Sequence, residues 1–163
     1  MSEVSERFRE LVARGDLNQD VQVVYRISGG MPQERIEEEF RLSGSSEAES
    51  RFVDERTAGA AQEVSAELDS AETQQLFQRV ASGLDELVSR SEARFLPDSS
   101  IGSITIEVGG EQETLYFLAD EGQRQGQEEA SAPRMPQALK PLEETSRRLL
   151  AERDEEGHER PEP

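Results

Sequence analysis

Residues 101–119 read IGSITIEVGGEQETLYFLA, and this stretch decides the fold. Ile104, Ile106 and Val108 alternate with Ser103, Thr105 and Glu107. Leu115 and Phe117 then alternate with Thr114, Tyr116 and Leu118. A period of two in both arms marks two strands, each with one buried face. Gly109-Gly110 between them is a two-residue turn of the primed type, whose twist matches that of the strands it joins. The stretch is an antiparallel hairpin.

Working outward, residues 21–28 repeat the pattern. Val21, Val23, Tyr25 and Ile27 alternate with Gln22, Val24, Arg26 and Ser28. Ser28-Gly29-Gly30-Met31-Pro32 breaks that strand, and Ile36, Phe40 and Leu42 resume a period of two. This predicts a second hairpin with its loop near 29–34. Alternation sends Glu37 and Glu39 to water and Glu38 to the apolar side, a placement expected at a sheet edge. Residues 43–61 are rich in Ser, Gly, Ala and Glu around Phe52-Val53. They read as a loop carrying a short third strand, with a fourth through Val64, Ala66 and Leu68.

Three helices complete the pattern. Val4, Phe8, Leu11 and Val12 make one apolar face, stopped by Gly15. So short a helix needs a docking surface, either its own sheet or a second chain. Asp16, Asn18 and Asp20 follow the first positions of a calcium loop. Val21 stands where that loop requires glycine and Ile27 where it requires a bidentate glutamate, so the segment reads as a capped turn. Asp69-Ser70-Ala71-Glu72 opens a helix over about 71–90, with Leu76, Phe77, Val80, Leu84, Leu87 and Val88 on one face. Phe95-Leu96-Pro97 anchors the loop that follows. Residues 120–134 hold no large apolar side chain and predict a mobile loop. Met135, Leu139, Leu142 and Leu149 form a last helical stripe, its regular part starting at Pro141.

The expected architecture is α+β: a two-layer sandwich in which an antiparallel sheet built from hairpins carries two main helices on one face, with an extra N-terminal helix. Three parts are expected: an N-terminal helix and turn (1–20), a single domain (21–150) and a charged, disordered tail (151–163).

Composition narrows the chemistry. There is no cysteine and a single histidine, His158. Disulfides, thiol nucleophiles, Cys-based or His-rich metal sites and a Ser-His-Asp triad are thereby excluded. No phosphate-cradling glycine motif occurs, and Ser99, Ser100 and Ser103 have no general base in view. Nothing in the pattern fixes two glutamates in an apolar pocket beside a nucleophile, so neither catalysis nor a metal or cofactor is expected. No apolar run reaches the length of a membrane span, and the charged start MSEVSERFRELVARG has no signal-peptide core. The expectation is a cytoplasmic protein that does not enter a membrane.

Charge narrows the partners. Asp and Glu number 36 against 18 Lys and Arg, a net charge of −18. Such a surface repels phosphate backbones and disfavours nucleic acid, while it draws basic partners. Seventeen arginines against one lysine, Lys140, with acids in twofold excess, is also the balance of a solvated surface in concentrated salt.

The order of motifs resembles the emfourin-like proteins, small cytosolic bacterial inhibitors of thermolysin-type zinc metallopeptidases. The resemblance covers about 21–150. It rests on a first strand ending in Tyr25-x-x-Ser28-Gly29-Gly30, the Asp69-Ser70-x-Glu72 helix start and the Phe95-Leu96-Pro97-Asp98 loop. The isoleucine-rich strand, the Gly-Gly turn and the closing Pro136-Gln-Ala-Leu139-Lys-Pro141-Leu142 complete it. It implies a non-catalytic protein that binds and blocks a metallopeptidase. Gly29, Gly30, Met31 and Pro32 are then the partner-binding candidates, the glycines permitting close approach and Met31 filling an apolar subsite. Family members carry an aromatic where this chain has Met31. Two plainer readings stand beside it: an ordinary hairpin loop with one exposed methionine, and an acidic structural or regulatory interaction module of a salt-adapted organism without a peptidase partner.

The salt-adapted reading has a direct test. Carboxylate repulsion goes unscreened in dilute buffer, so circular dichroism should show the fold loosening as salt is removed. A flat response across the salt series rejects it.

Overall fold

The structure, a computed structural model, describes residues 3–29, 36–54, 61–89, 100–119 and 133–159, with side chains to 152 in the last of these. Six strands form one antiparallel sheet: β1 (Val21–Gly29), β2 (Ile36–Ser43), β3 (Glu47–Asp54), β4 (Gln62–Glu67), β5 (Ile101–Val108) and β6 (Glu111–Leu118). Their spatial order is β4-β3-β2-β1-β5-β6. Three helices accompany them: α1 (Glu3–Arg14), α2 (Ser70–Gly83) and α3 (Lys140–Glu159). The expected α+β architecture is the observed one.

The register lays the inward residues in rows across the sheet. One row runs Ile106, Val23, Leu42, Ala48 and Ala66. The next runs Ile104, Tyr25, Phe40, Ser50 and Val64. Ile104, Tyr25 and Phe40 are fully buried, and the Tyr25 ring stacks on Phe117 with centroids 6.4 Å apart. Gly102 belongs to a further row and leaves its space to that same phenylalanine: a Cβ there would fall 2.1 Å from the Phe117 ring.

The Gly109-Gly110 turn is of the primed kind, with φ of 57° and 88°. Asp69 caps α2, its side chain accepting from the Glu72 N–H at 2.7 Å. The turn at 16–20 closes on itself, the Asn18 Oδ1 accepting from the Asp20 N–H at 2.8 Å.

The N-terminal helix docks on its own sheet and belongs to the same core as the rest. Phe8 is fully buried and stacks on Phe77 of α2 at 5.8 Å, and Val12 is buried beside it. The Ser5 hydroxyl donates to Glu113 of β6, and the Gln74 side chain donates to the Val12 carbonyl at 3.0 Å. Gly15, at φ 73°, ends the helix.

Four expectations need correcting. The third strand is eight residues long and starts directly after a tight turn at 44–46. Its inward residues Ala48 and Ser50 are small because α3 lies over this side of the sheet, and small side chains hide the alternation. The helix expected to reach 90 ends at Gly83 in a 3-10 turn (Leu84–Glu86). There Ala138 and Leu139 press against Gly83, where a Cβ would stand 3.3 Å from the Ala138 methyl. Val88 leaves the helix to bridge Tyr116 on the outer side of β6. Glu38 is not at an edge, since β2 lies between β1 and β3. Finally, α3 does not stop near 151 but continues to Glu159. Ala151-Glu152-Arg153 are good helix formers, and Arg148 and Glu152 pair across one turn. The 95–98 loop, residues 120–132 and Gly30, Met31 and Pro32 lie outside the described residues.

Replacing Phe8 by alanine should cost about 3–5 kcal/mol, the usual loss for a buried aromatic. Urea unfolding measures it. A loss under about 1 kcal/mol would mean that α1 is no part of the core.

Candidate functional site

The two ends of the sheet are unlike. At one end β2 turns to β3 through 44–46 and β5 to β6 through 109–110. At the other end every connection is long: 30–35 between β1 and β2, 55–61 between β3 and β4, 87–100 before β5 and 119–136 after β6. The last inward row at that end runs Gly102, Ile27, Glu38, Phe52 and Gln62. It lies beyond the fully buried Tyr25 row, where the core gives way to a cleft against α3.

The cleft has a volume of about 760 Å³ and is walled by Ile27, Ile36 and Phe52 on the sheet and by Met135 and Leu150 opposite. Glu38 lies in it, its side chain 5% exposed. Glu143 and Arg147, one turn apart on α3, face it. The buried Tyr25 hydroxyl donates to the Glu143 Oε2 at 3.2 Å. The other oxygen of Glu143 lies 3.3 Å from the Arg147 guanidinium. Arg147 Nε lies 3.8 Å from the Glu38 Oε2, close enough for charge attraction but too far for a hydrogen bond. The Glu38 Oε1 is buried and has no hydrogen-bond partner among the described residues.

The electrostatics follow from that geometry. Loss of water around Glu38 raises its pKa above the ordinary carboxylate range. Arg147 opposes the rise and Glu143 adds to it. Burial, reinforced by the charges of Glu38 and Glu143, holds the Tyr25 phenol far above its usual value, so it stays a hydrogen-bond donor. Arg147 serves two carboxylates at once and is itself 65% exposed, which makes it a weak counter-charge for a buried acid.

Two carboxylates do therefore meet in an apolar-walled cleft, which the sequence reading did not expect. The four groups Tyr25, Glu38, Glu143 and Arg147 include no activated nucleophile. Among the described residues no three acidic or histidine side chains are placed to hold a metal ion. What the arrangement offers is an unpartnered acceptor at the floor of an apolar cleft, or a donor once Glu38 takes up a proton. Of the partner-binding candidates, Gly29 ends β1 opposite Ile36, at the same end of the sheet as the cleft. Tyr25, Glu38, Glu143 and Arg147 escaped the sequence reading as a site. For Glu38 a signal existed: an acid at the inward position between Ile36 and Phe40.

No family model matches the chain, and no curated protein matches it.

The raised pKa of Glu38 has a consequence for stability. Folded Glu38 holds its proton more tightly than the unfolded chain does, so its contribution falls as pH rises from the ordinary carboxylate range through the raised pKa. At neutral pH the buried charge is a cost. Glu38→Gln removes it, and the variant should be at least as stable as the parent at pH 8, with its relative advantage shrinking toward pH 4. Thermal unfolding at both pH values checks this. An advantage that grows on acidification contradicts the assignment.

Proposed function

We propose that the chain is a non-catalytic binding protein that meets a protein partner at the long-loop end of its sheet. The partner is a thermolysin-type zinc metallopeptidase, which it blocks, as the resemblance to the emfourin-like proteins implies. One observation supports the reading above others: short turns at one end and four long connections at the other. A rigid sheet that gathers its longer connections at one end is a scaffold for presenting them. The central strand β1 ends there at Gly29, and Gly30, Met31 and Pro32 follow it in the sequence. Inhibition by occupancy of a cleft needs a fitting surface and no catalytic group; Glu38 and Glu143 share Arg147, and Tyr25 donates to Glu143 alone.

The experiment is a titration of a thermolysin-type peptidase with the full chain, following cleavage of a peptide substrate. Activity should fall toward zero near equimolar protein, and Met31→Asp should weaken the inhibition about tenfold or more, since a charge does not enter an apolar subsite without loss. Undiminished cleavage at micromolar excess of the chain overturns the proposal.

A further inference from the structure

We propose that the cleft between α3 and the end of the sheet binds an organic monocation, a primary ammonium group on an aliphatic stem. The ammonium head donates to the open Oε1 of Glu38, and the stem lies along Ile27, Ile36 and Phe52. The inference does not depend on which protein, if any, is the partner.

Three independent features converge on this ligand. The first is the orphaned oxygen. Glu38 is 4% exposed and its Oε1 has no hydrogen-bond partner among the described residues. A buried carboxylate oxygen left without a donor is costly, and a donor arriving there recovers that cost. The second is the local balance of charge. Glu38, Glu143 and Arg147 carry two negative charges and one positive, with Arg147 within ion-pair distance of both acids. Arg147 is largely exposed and 3.8 Å from Glu38, so the buried acid itself has only a weak counter-charge. Lys140 also lines the cleft and is already engaged. The third is the wall. Ile27 and Phe52 flank Glu38 directly on the neighbouring strands, and Ile36 precedes it on the same face of β2. Apolar walls around a charged floor select a ligand with a cationic head and an apolar body.

The same features reject other ligands. An anion would meet Glu38 and Glu143 at the floor. A bare divalent cation would find two carboxylates already sharing one guanidinium, with no third acidic or histidine ligand placed beside them among the described residues. A neutral alcohol could donate to Glu38 but would leave the charge uncompensated. The volume of about 760 Å³ is within the range of small-ligand sites and exceeds what one alkyl chain fills. The net charge of −18 raises the local concentration of any cation near the surface.

An alkylammonium head can come from a free amine or from a lysine side chain of another protein, and the test separates the two. The full chain is titrated by calorimetry and by NMR with n-hexylammonium chloride, and separately with a blocked Ala-Lys-Ala peptide. Hexanol and hexanoate serve as comparison ligands. Saturable binding of n-hexylammonium, with shifts centred on residues 27, 36, 38 and 52, is expected, with hexanol and hexanoate at least about tenfold weaker. Tighter binding of the peptide assigns the site to a lysine side chain; tighter binding of hexylammonium assigns it to a free amine. Glu38→Gln should lose about tenfold or more in affinity while keeping its circular dichroism spectrum. Arg147→Gln, which removes a competing cation from an exposed side chain, should bind the ammonium more tightly than the parent. That gain is a result no general loosening of the fold would produce. The proposal is overturned if neither ammonium probe binds up to about 10 mM, if hexanol binds as well as hexylammonium, or if Glu38→Gln binds as the parent does.

Discussion

The register of β1 is the constraint on which the rest of this protein depends. β1 pairs with β2 on one side and β5 on the other, and both pairings must hold Tyr25 beside Phe40 and Ile104. A slip of one residue would turn Val21, Val23 and Tyr25 to water and bring Gln22, Val24 and Arg26 into the core. That penalty fixes the sheet. Because the sheet is fixed, so is the residue one row further on. Glu38 is carried to the inner face by the alternation that turns Ile36 and Phe40 inward, and no local freedom lets it leave. The acid in the cleft is thus enforced by the packing of its neighbours.

The surface contributes little beside that core. Arg7–Glu111, Arg9–Asp85 and Arg51–Glu63 are exposed or half-exposed pairs of the kind that is worth between nothing and about 1 kcal/mol each. The Arg148–Glu72 pair is better built, with two parallel contacts at 3.0 and 3.1 Å joining α3 to α2. Even there the guanidinium is half in water. With 36 acids on 163 residues, exposed charge does more to keep the chain solvated than to hold it together. Cohesion comes from the aromatic layer of Phe8, Phe77, Tyr25, Phe40 and Phe117, all fully buried.

Where the sequence was legible, a large side chain carried the signal. The alternation of Ile104, Ile106 and Val108 and that of Val21, Val23 and Tyr25 announced their strands, and Gly109-Gly110 announced the turn between two of them. The third strand was legible only in part. Its inward positions hold Ala48 and Ser50, and small residues leave no mark in a hydropathy pattern however deeply they are buried. The end of α2 was hidden for a related reason. Leu84, Leu87 and Val88 keep a helical spacing, but the helix ends at Gly83, where Ala138 and Leu139, some fifty residues on, pack against it. The cleft was hidden for a third reason. Glu38 could be assigned to the inner face from sequence, whereas its meeting with Glu143 and Arg147 depends on where α3 crosses the sheet. Contacts between distant segments have no period to read.

The two borders of the sheet differ in a way that bears on crowded solutions. Beyond β6, Val88 and Arg134 form bridges that close part of the ribbon's margin. Beyond β4 no strand follows among the described residues. That margin carries Glu63 and Glu67 within six residues. A second molecule sliding its own β4 alongside would bring like charge against like charge before any ladder could form. Stacking of molecules into extended ribbons is thereby discouraged at the place where the architecture would otherwise invite it.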